Sequence, residues 1–128
     1  MLDTHITDHF TLDECKCPCC DHIRVTPGFY AHMELLEAMR QELGFPIIIN
    51  SGYRCPVHNA SVGGAARSWH LLFATDVRPS CVAYAGMSIE TRLRAMYRVA
   101  LVQEWGGIGY YNTFLHLDMR PEPARWRE

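Results

Sequence analysis

No stretch of this sequence approaches the roughly 20 consecutive apolar residues that a membrane-spanning helix needs. That excludes a helical membrane protein. Charge of one sign is also lacking: the net charge is -2, and the arginines from Arg67 onward are scattered rather than run together. The chain therefore gives no reason to expect nucleic acid or an anionic membrane surface as partner. The opening residues, Met1-Leu2-Asp3-Thr4-His5, have no basic region followed by an apolar one. The expectation is a chain made in the cytoplasm without a Sec-type signal peptide. No linker, repeat or low-complexity segment appears. The 128 residues fit one domain, 1–128, with one core, and the small size suggests a monomer.

What is present is an ordinary globular composition, 48% hydrophobic and 20% charged. Thr11-Leu12-Asp13-Glu14 reads as a capping box that opens a short helix. Thr26-Pro27 starts a second, with Thr as N-cap and Pro at the first helical position. Phe29, Met33, Leu36, Met39 and Leu43 follow at near-helical spacing, and Gly44 ends the run. Phe45 to Asn50 holds a β-branched run and reads as a strand. Residues Pro56 to Ala66 read as a short helix and a Gly63-Gly64 loop, and Phe73 to Val77 as a second strand. Ser88 caps another helix, with Ile89, Leu93, Met96, Tyr97 and Ala100 on one face. After a break at Gly106-Gly107, Ile108 to Tyr111 and Phe114 to Met119 read as paired strands. The tail from Arg120 to Glu128 is polar. Helices flanking a small, mainly antiparallel sheet give an α+β domain.

Two imidazoles and a carboxylate can hold a zinc ion and leave a fourth position open for water, the arrangement of a catalytic zinc. His70 with Asp76, and His116 well downstream, supply such a set. His116 and Asp118 are two apart on a strand and project from one face. Asp118 suits an orienting carboxylate or a general base. Asp76 closes an apolar run and is costly to bury unless paired or metal-bound. Arg54 could clamp a substrate carboxylate or carbonyl, and Ser68 could donate a hydrogen bond beside His70. Read singly, each has a plain alternative: a solvated strand edge, a turn aspartate, a surface ion pair, loop polarity.

Of six cysteines, Cys15, Cys17, Cys19 and Cys20 sit together. In a cytoplasmic chain such a cluster is reduced or metal-bound more often than disulfide-bonded. Its spacing, C-x-C-x-C-C, is not that of the usual paired C-x-x-C zinc knuckle. A second, structural metal, reduced packing thiols, and a disulfide to Cys55 or Cys81 all stay open.

Taken in order, Ser51-Gly52-Tyr53-Arg54-Cys55-Pro56-Val57-His58-Asn59, Val62-Gly63-Gly64-Ala65, Ser68-x-His70, Ala74-x-Asp76, Gly107-Ile108-Gly109-Tyr110 and His116-x-Asp118 closely resemble the M15 zinc peptidases. Within them the chain looks most like the compact D-alanyl-D-alanine carboxypeptidase-like branch common in phages and prophages. The resemblance runs from about His9 to Trp126. It implies a small α+β fold shared with the Hedgehog signalling domain, and one zinc held by His70, Asp76 and His116. Arg54 would steady the substrate carbonyl or carboxylate, and Ser68 matches the serine two before the first ligand. The implied substrates are bacterial cell-wall peptides, cut by carboxypeptidase or endopeptidase action. The implied place of action is the wall after release, or a phage lysis or virion system. Some branches carry a catalytic Glu three residues before the last histidine. Thr113 stands there in this chain, which leaves Asp118 as the candidate catalytic carboxylate.

One departure bears on the site. The family pattern reads Ser-x-His-x-x-Gly-x-Ala-x-Asp. Here the span from His70 to Asp76 is one residue shorter, and Phe73 stands near the missing glycine. A one-residue loss within a strand would turn Asp76 to the other face. The intact context Ala74-x-Asp76-Val77 predicts that the loop before the strand absorbs it. A non-catalytic binding or phage structural module on the same fold is the competing reading. A cysteine-dependent zinc or redox protein centred on Cys15 to Cys20 is a third.

Overall fold

The computed structural model describes residues 4–82 and 84–128. The helices are α1 (Leu12–Cys15), α2 (Pro27–Leu43), α3 (Pro56–Ser61) and α4 (Ile89–Gln103). The strands are β1 (Ile47–Ser51), β2 (Ala74–Pro79), β3 (Gly107–Tyr110), β4 (Leu115–Asp118) and β5 (Ala124–Arg127). A 3-10 turn, Trp69–Leu71, precedes β2. Among the described residues, no helix is long and apolar enough to cross a membrane.

The capping signals set the helix ends. The Glu14 carboxylate accepts from the Thr11 backbone N–H at 2.8 Å. Thr26 Oγ1 accepts from the Phe29 N–H at 3.1 Å, with Pro27 at the first helical position. Gly44 takes the left-handed φ of 76° that closes α2. Phe29, Met33, Leu36 and Met39 are all buried. Ile89, expected on the buried face of α4, is 41% exposed. It is the first helical residue and precedes the stripe formed by Leu93, Met96 and Ala100.

The five strands run in the order β1-β2-β4-β3-β5. All pairings are antiparallel except β3 with β5, giving the α+β class. Side chains alternate along a strand, and directly paired residues share a face. Val77, Ile108, Leu115 and Leu117 therefore point one way and join the buried core with residues of α2 and α4. Asp76, His116, Gly109 and Trp126 form a row across the other face, since Asp76 pairs with His116, His116 with Gly109, and Gly109 with Trp126. The functional candidates thus occupy the side of the sheet away from the core.

Three boundaries depart from the sequence reading. β1 starts at Ile47 rather than Phe45, and the Phe45 ring drops into the core. β2 starts at Ala74 because Phe73 leaves the strand and packs edge-on against Phe29, with ring centroids 4.9 Å apart. The polar tail forms β5, a parallel edge strand beside β3.

Candidate metal centre and cleft

Three acceptor atoms converge without a proton to share. His70 sits in the 3-10 turn, and its Nδ1–H donates to Gly52 O at 2.7 Å. The ring's other nitrogen, Nε2, lies 3.2 Å from Asp76 Oδ1. His116 reverses the roles: Nε2–H donates to Asp118 Oδ2 at 2.7 Å, and Nδ1 lies 3.1 Å from Asp76 Oδ1. In a neutral imidazole, one nitrogen carries the proton and the other a lone pair. The outer hydrogen bonds therefore aim two lone pairs at one carboxylate oxygen. One donor atom from each of His70, Asp76 and His116 lies within 4.8 Å of the others. Only protonation of the rings or a cation reconciles this arrangement, and two imidazoles with a carboxylate suit a transition metal. A carbonyl or carboxylate on the far ring nitrogen is the usual way a ligating histidine is fixed.

Charge at the site follows from these contacts. Burial works to raise the Asp76 pKa, but the His116 and His70 rings, donating to the carboxylate in their protonated form, outweigh it and hold the carboxyl at about 2. Burial opposes charge on His116, yet Asp118 and Asp76 draw its pKa upward. Asp118 lies well below the usual carboxylate range, despite burial, through Arg120 and His116.

The shortened span is absorbed ahead of the strand. Only Leu72 and Phe73 separate the 3-10 turn from β2, and within β2 Asp76 pairs with His116 on one face of the sheet.

Of the two roles open to Asp118, its contacts favour the orienting one. It is fully buried, and its oxygens are taken by His116 Nε2, by the Arg120 backbone N–H at 3.0 Å and by Arg120 Nη2 at 2.6 Å. It lies outside the cleft lining. The geometry is that of a carboxylate that orients His116. A Cβ on Gly107 would overlap the Asp118 carboxyl, so this position on β3 admits only glycine without a shift.

Around the donor set lies a cleft of about 530 Å³. Arg54, Arg67 and Arg120 line it, with Trp69, Tyr111, Phe114 and Trp126. Arg54 Nη2 is 3.5 Å from Asp76 Oδ2, and its Nε–H donates to Ser51 Oγ at 3.2 Å. Ser68 lines the same cleft; its hydroxyl accepts from the His70 N–H at 3.2 Å. Arg120 lies between two indoles, 5.3 Å from the Trp69 ring and 5.1 Å from the Trp126 ring. The sequence reading missed Arg120 and Trp126. The signal for Arg120 was the alternation His116-x-Asp118-x-Arg120.

The cysteine cluster divides. Cys15 is buried on α1, with its Sγ 3.7 Å from Met33 Sδ, and belongs to the core. Cys17 and Cys20 instead meet Cys55, with the three Sγ atoms within 4.8 Å of one another. No disulfide joins the described cysteines.

Fold and site together define an α+β domain with a candidate metal-binding donor set in an open cleft. Residues 8–118 match the family model described as Peptidase M15, and the chain belongs to that family of metal-dependent peptidases. Among curated proteins, a search found no significant match.

Proposed function

We propose that this protein is a zinc-dependent peptidase acting on peptidoglycan stem peptides, with His70, Asp76 and His116 as the metal ligands. The observation that carries the reading is the convergence of His70 Nε2, Asp76 Oδ1 and His116 Nδ1 on one point in a cleft lined by three guanidiniums. Zinc bound there would act as a Lewis acid and lower the pKa of water. The remaining work falls to the chain. Gly52 O and Asp118 fix the two rings. Arg54 engages the carbonyl or carboxylate of the peptide beside the ligands, as a planar guanidinium does in paired hydrogen bonds. Ser68, whose oxygen already accepts from His70, keeps its own proton to donate toward the peptide. Arg67 and Arg120 favour a substrate bearing carboxylates, and the aromatic walls exclude water from it. Asp118 enters as the group that aligns His116, not as the group that takes the nucleophile's proton.

One observation favours a second reading, a binding module without turnover. Among the described residues lining the cleft, Asp76 is the sole carboxylate, and Thr113 is exposed where some relatives of the resembled family carry Glu. The experiment is elemental analysis of protein purified without a metal-binding tag, alongside incubation with muropeptides. Under the peptidase reading, Asp76→Ala loses one zinc per chain, and wild type releases amino acids or shortened peptides that the variant does not. Folded, zinc-loaded wild type that leaves every muropeptide intact would hand the function to the binding module.

A further inference from the structure

We propose that Cys17, Cys20 and Cys55, completed by Cys19, form a second zinc site that staples the N-terminal loop to the Arg54 turn. This inference is independent of the peptidase reading, because its ligands share no residue with the His70–Asp76–His116 set.

Four observations support it. First, the Sγ atoms of Cys17, Cys20 and Cys55 lie within 4.8 Å of one another. Four sulfurs around zinc at about 2.3 Å stand roughly 3.8 Å apart, so small side-chain rotations bring these thiols onto one ion. Cys19, exposed in the same loop, is the neighbouring thiol that would swing in as the fourth corner.

Second, the backbone is folded around the sulfurs. Cys17-Pro18-Cys19-Cys20 is a C-x-x-C segment, hidden inside the longer run of cysteines. Asp21 follows it in the left-handed region at φ 61°, a conformation that Asp tolerates and most residues do not. This bend turns the chain back: the Asp21 N–H donates to Cys17 O, and the Cys17 N–H to His22 O, each at 2.8 Å.

Third, amides point at the sulfurs. The Cys55 N–H donates to Cys17 Sγ at 3.4 Å, and the His58 N–H to Cys55 Sγ at 3.4 Å. Backbone amides aimed at sulfur favour the charged thiolate over the neutral thiol. Thiolate is the form that binds metal.

Fourth, the segments brought together hold the cleft. Cys55 follows Arg54 directly. The Tyr53 N–H donates to Cys15 O at 2.9 Å, and Gly52 O is the acceptor that fixes His70. A Cβ on Gly52 would overlap the Cys15 backbone. An ion at the thiols would tie this turn to the N-terminal loop across 38 residues of sequence. Soft thiolates select zinc over hard oxygen-seeking cations, and binding releases the thiol protons to solvent.

The test uses the full chain, purified under reductant, stripped of metal and titrated with cobalt. Wild type is expected to bind two cobalt ions per chain, one of them with the sulfur-to-cobalt charge-transfer absorption of a thiolate site. His116→Ala should lose one ion and keep that band. Cys20→Ser, at an exposed position, should lose the band and keep the other ion. Cys19→Ser should weaken the band. Native mass spectrometry of zinc-grown wild type provides a readout that needs no variant, expected at two zincs. A wild type with no charge-transfer band, or with these thiols joined as a disulfide in fresh reduced protein, would overturn the proposal. A site that binds through sulfur while His116→Ala changes nothing would leave it standing and remove the peptidase reading instead.

Discussion

His116 and Asp118 are bound to each other through the ring nitrogen that points away from Asp76, at 2.7 Å. The partner carboxylate decides which nitrogen of His116 carries the proton, and so which one faces the donor set. Asp118→Asn keeps the shape and removes the charge. Metal affinity is expected to fall by about 10- to 100-fold, the usual cost of losing such a partner. Competition against a chromogenic chelator measures it. Unchanged affinity would mean that His116 keeps its orientation without the carboxylate.

Arg120 neutralises a carboxylate that has no access to solvent. Asp118 is buried and Arg120 contacts it through Nε, Nη2 and the backbone N–H. Removing one partner of a buried pair leaves an uncompensated charge, at about 3–5 kcal/mol. Arg120→Ala should therefore lower stability by that order in urea unfolding. Arg120→Lys, which keeps the charge but not the planar fork, should cost less. Equal losses would show that charge plays no part.

Gly109 leaves room for the Trp126 indole, which a Cβ would overlap. That indole is 5.3 Å from the His116 ring and donates its Nε1–H to Tyr111 at 3.0 Å. Gly109→Ala should push the indole off the strand and destabilise the fold by about 1–3 kcal/mol. A lowered melting temperature and altered tryptophan fluorescence would report it. An unchanged spectrum would mean that β5 shifts as a unit.

Glu37 provides a pH-dependent contribution far from the metal ligands. Burial works to raise its pKa, but hydrogen bonds from His9 and Gln41 outweigh it, and the pKa falls from 4.5 to about 2. The His9 N–H donates to its carboxylate at 2.8 Å and Nδ1 at 2.6 Å. A carboxyl with a lowered folded pKa stabilises fully above the ordinary value and loses that effect as pH falls through the folded one. Relative to Glu37→Gln, wild type should gain about 1.5–3 kcal/mol near neutrality, and the gap should close between pH 4.5 and about 2. Denaturant melts across that window measure it. A constant gap would place the effect in packing.

Much of the architecture was legible because it rests on local signals. Thr26-Pro27 and Gly44 bracket α2 through capping and a left-handed φ. The His116-x-Asp118 alternation gave a shared face. The family pattern supplied the three donor residues, and strand register brings them together. What escaped rests on contacts between distant segments. β5 is four residues behind two prolines, and its pairing with β3 is invisible to periodicity. Cys55 lies remote from Cys17 in sequence, so grouping cysteines by proximity chose Cys15, whose position on α1 points it into the core. Burial of Asp118 favours the orienting role over that of a proton acceptor, and spacing carries no burial.

The two-residue connection between the 3-10 turn and β2 has no slack, and one of its residues is Phe73. That ring is wedged against Phe29 and against His32, at 4.9 and 4.7 Å between centroids. Core packing and the geometry of the proposed donor set are therefore one trait in this chain rather than two. A substitution such as Phe29→Ala, far outside the donor set, loosens the anchor of the segment that spaces His70 from Asp76. Drift in the core is then expected to register in the spacing of the proposed ligands.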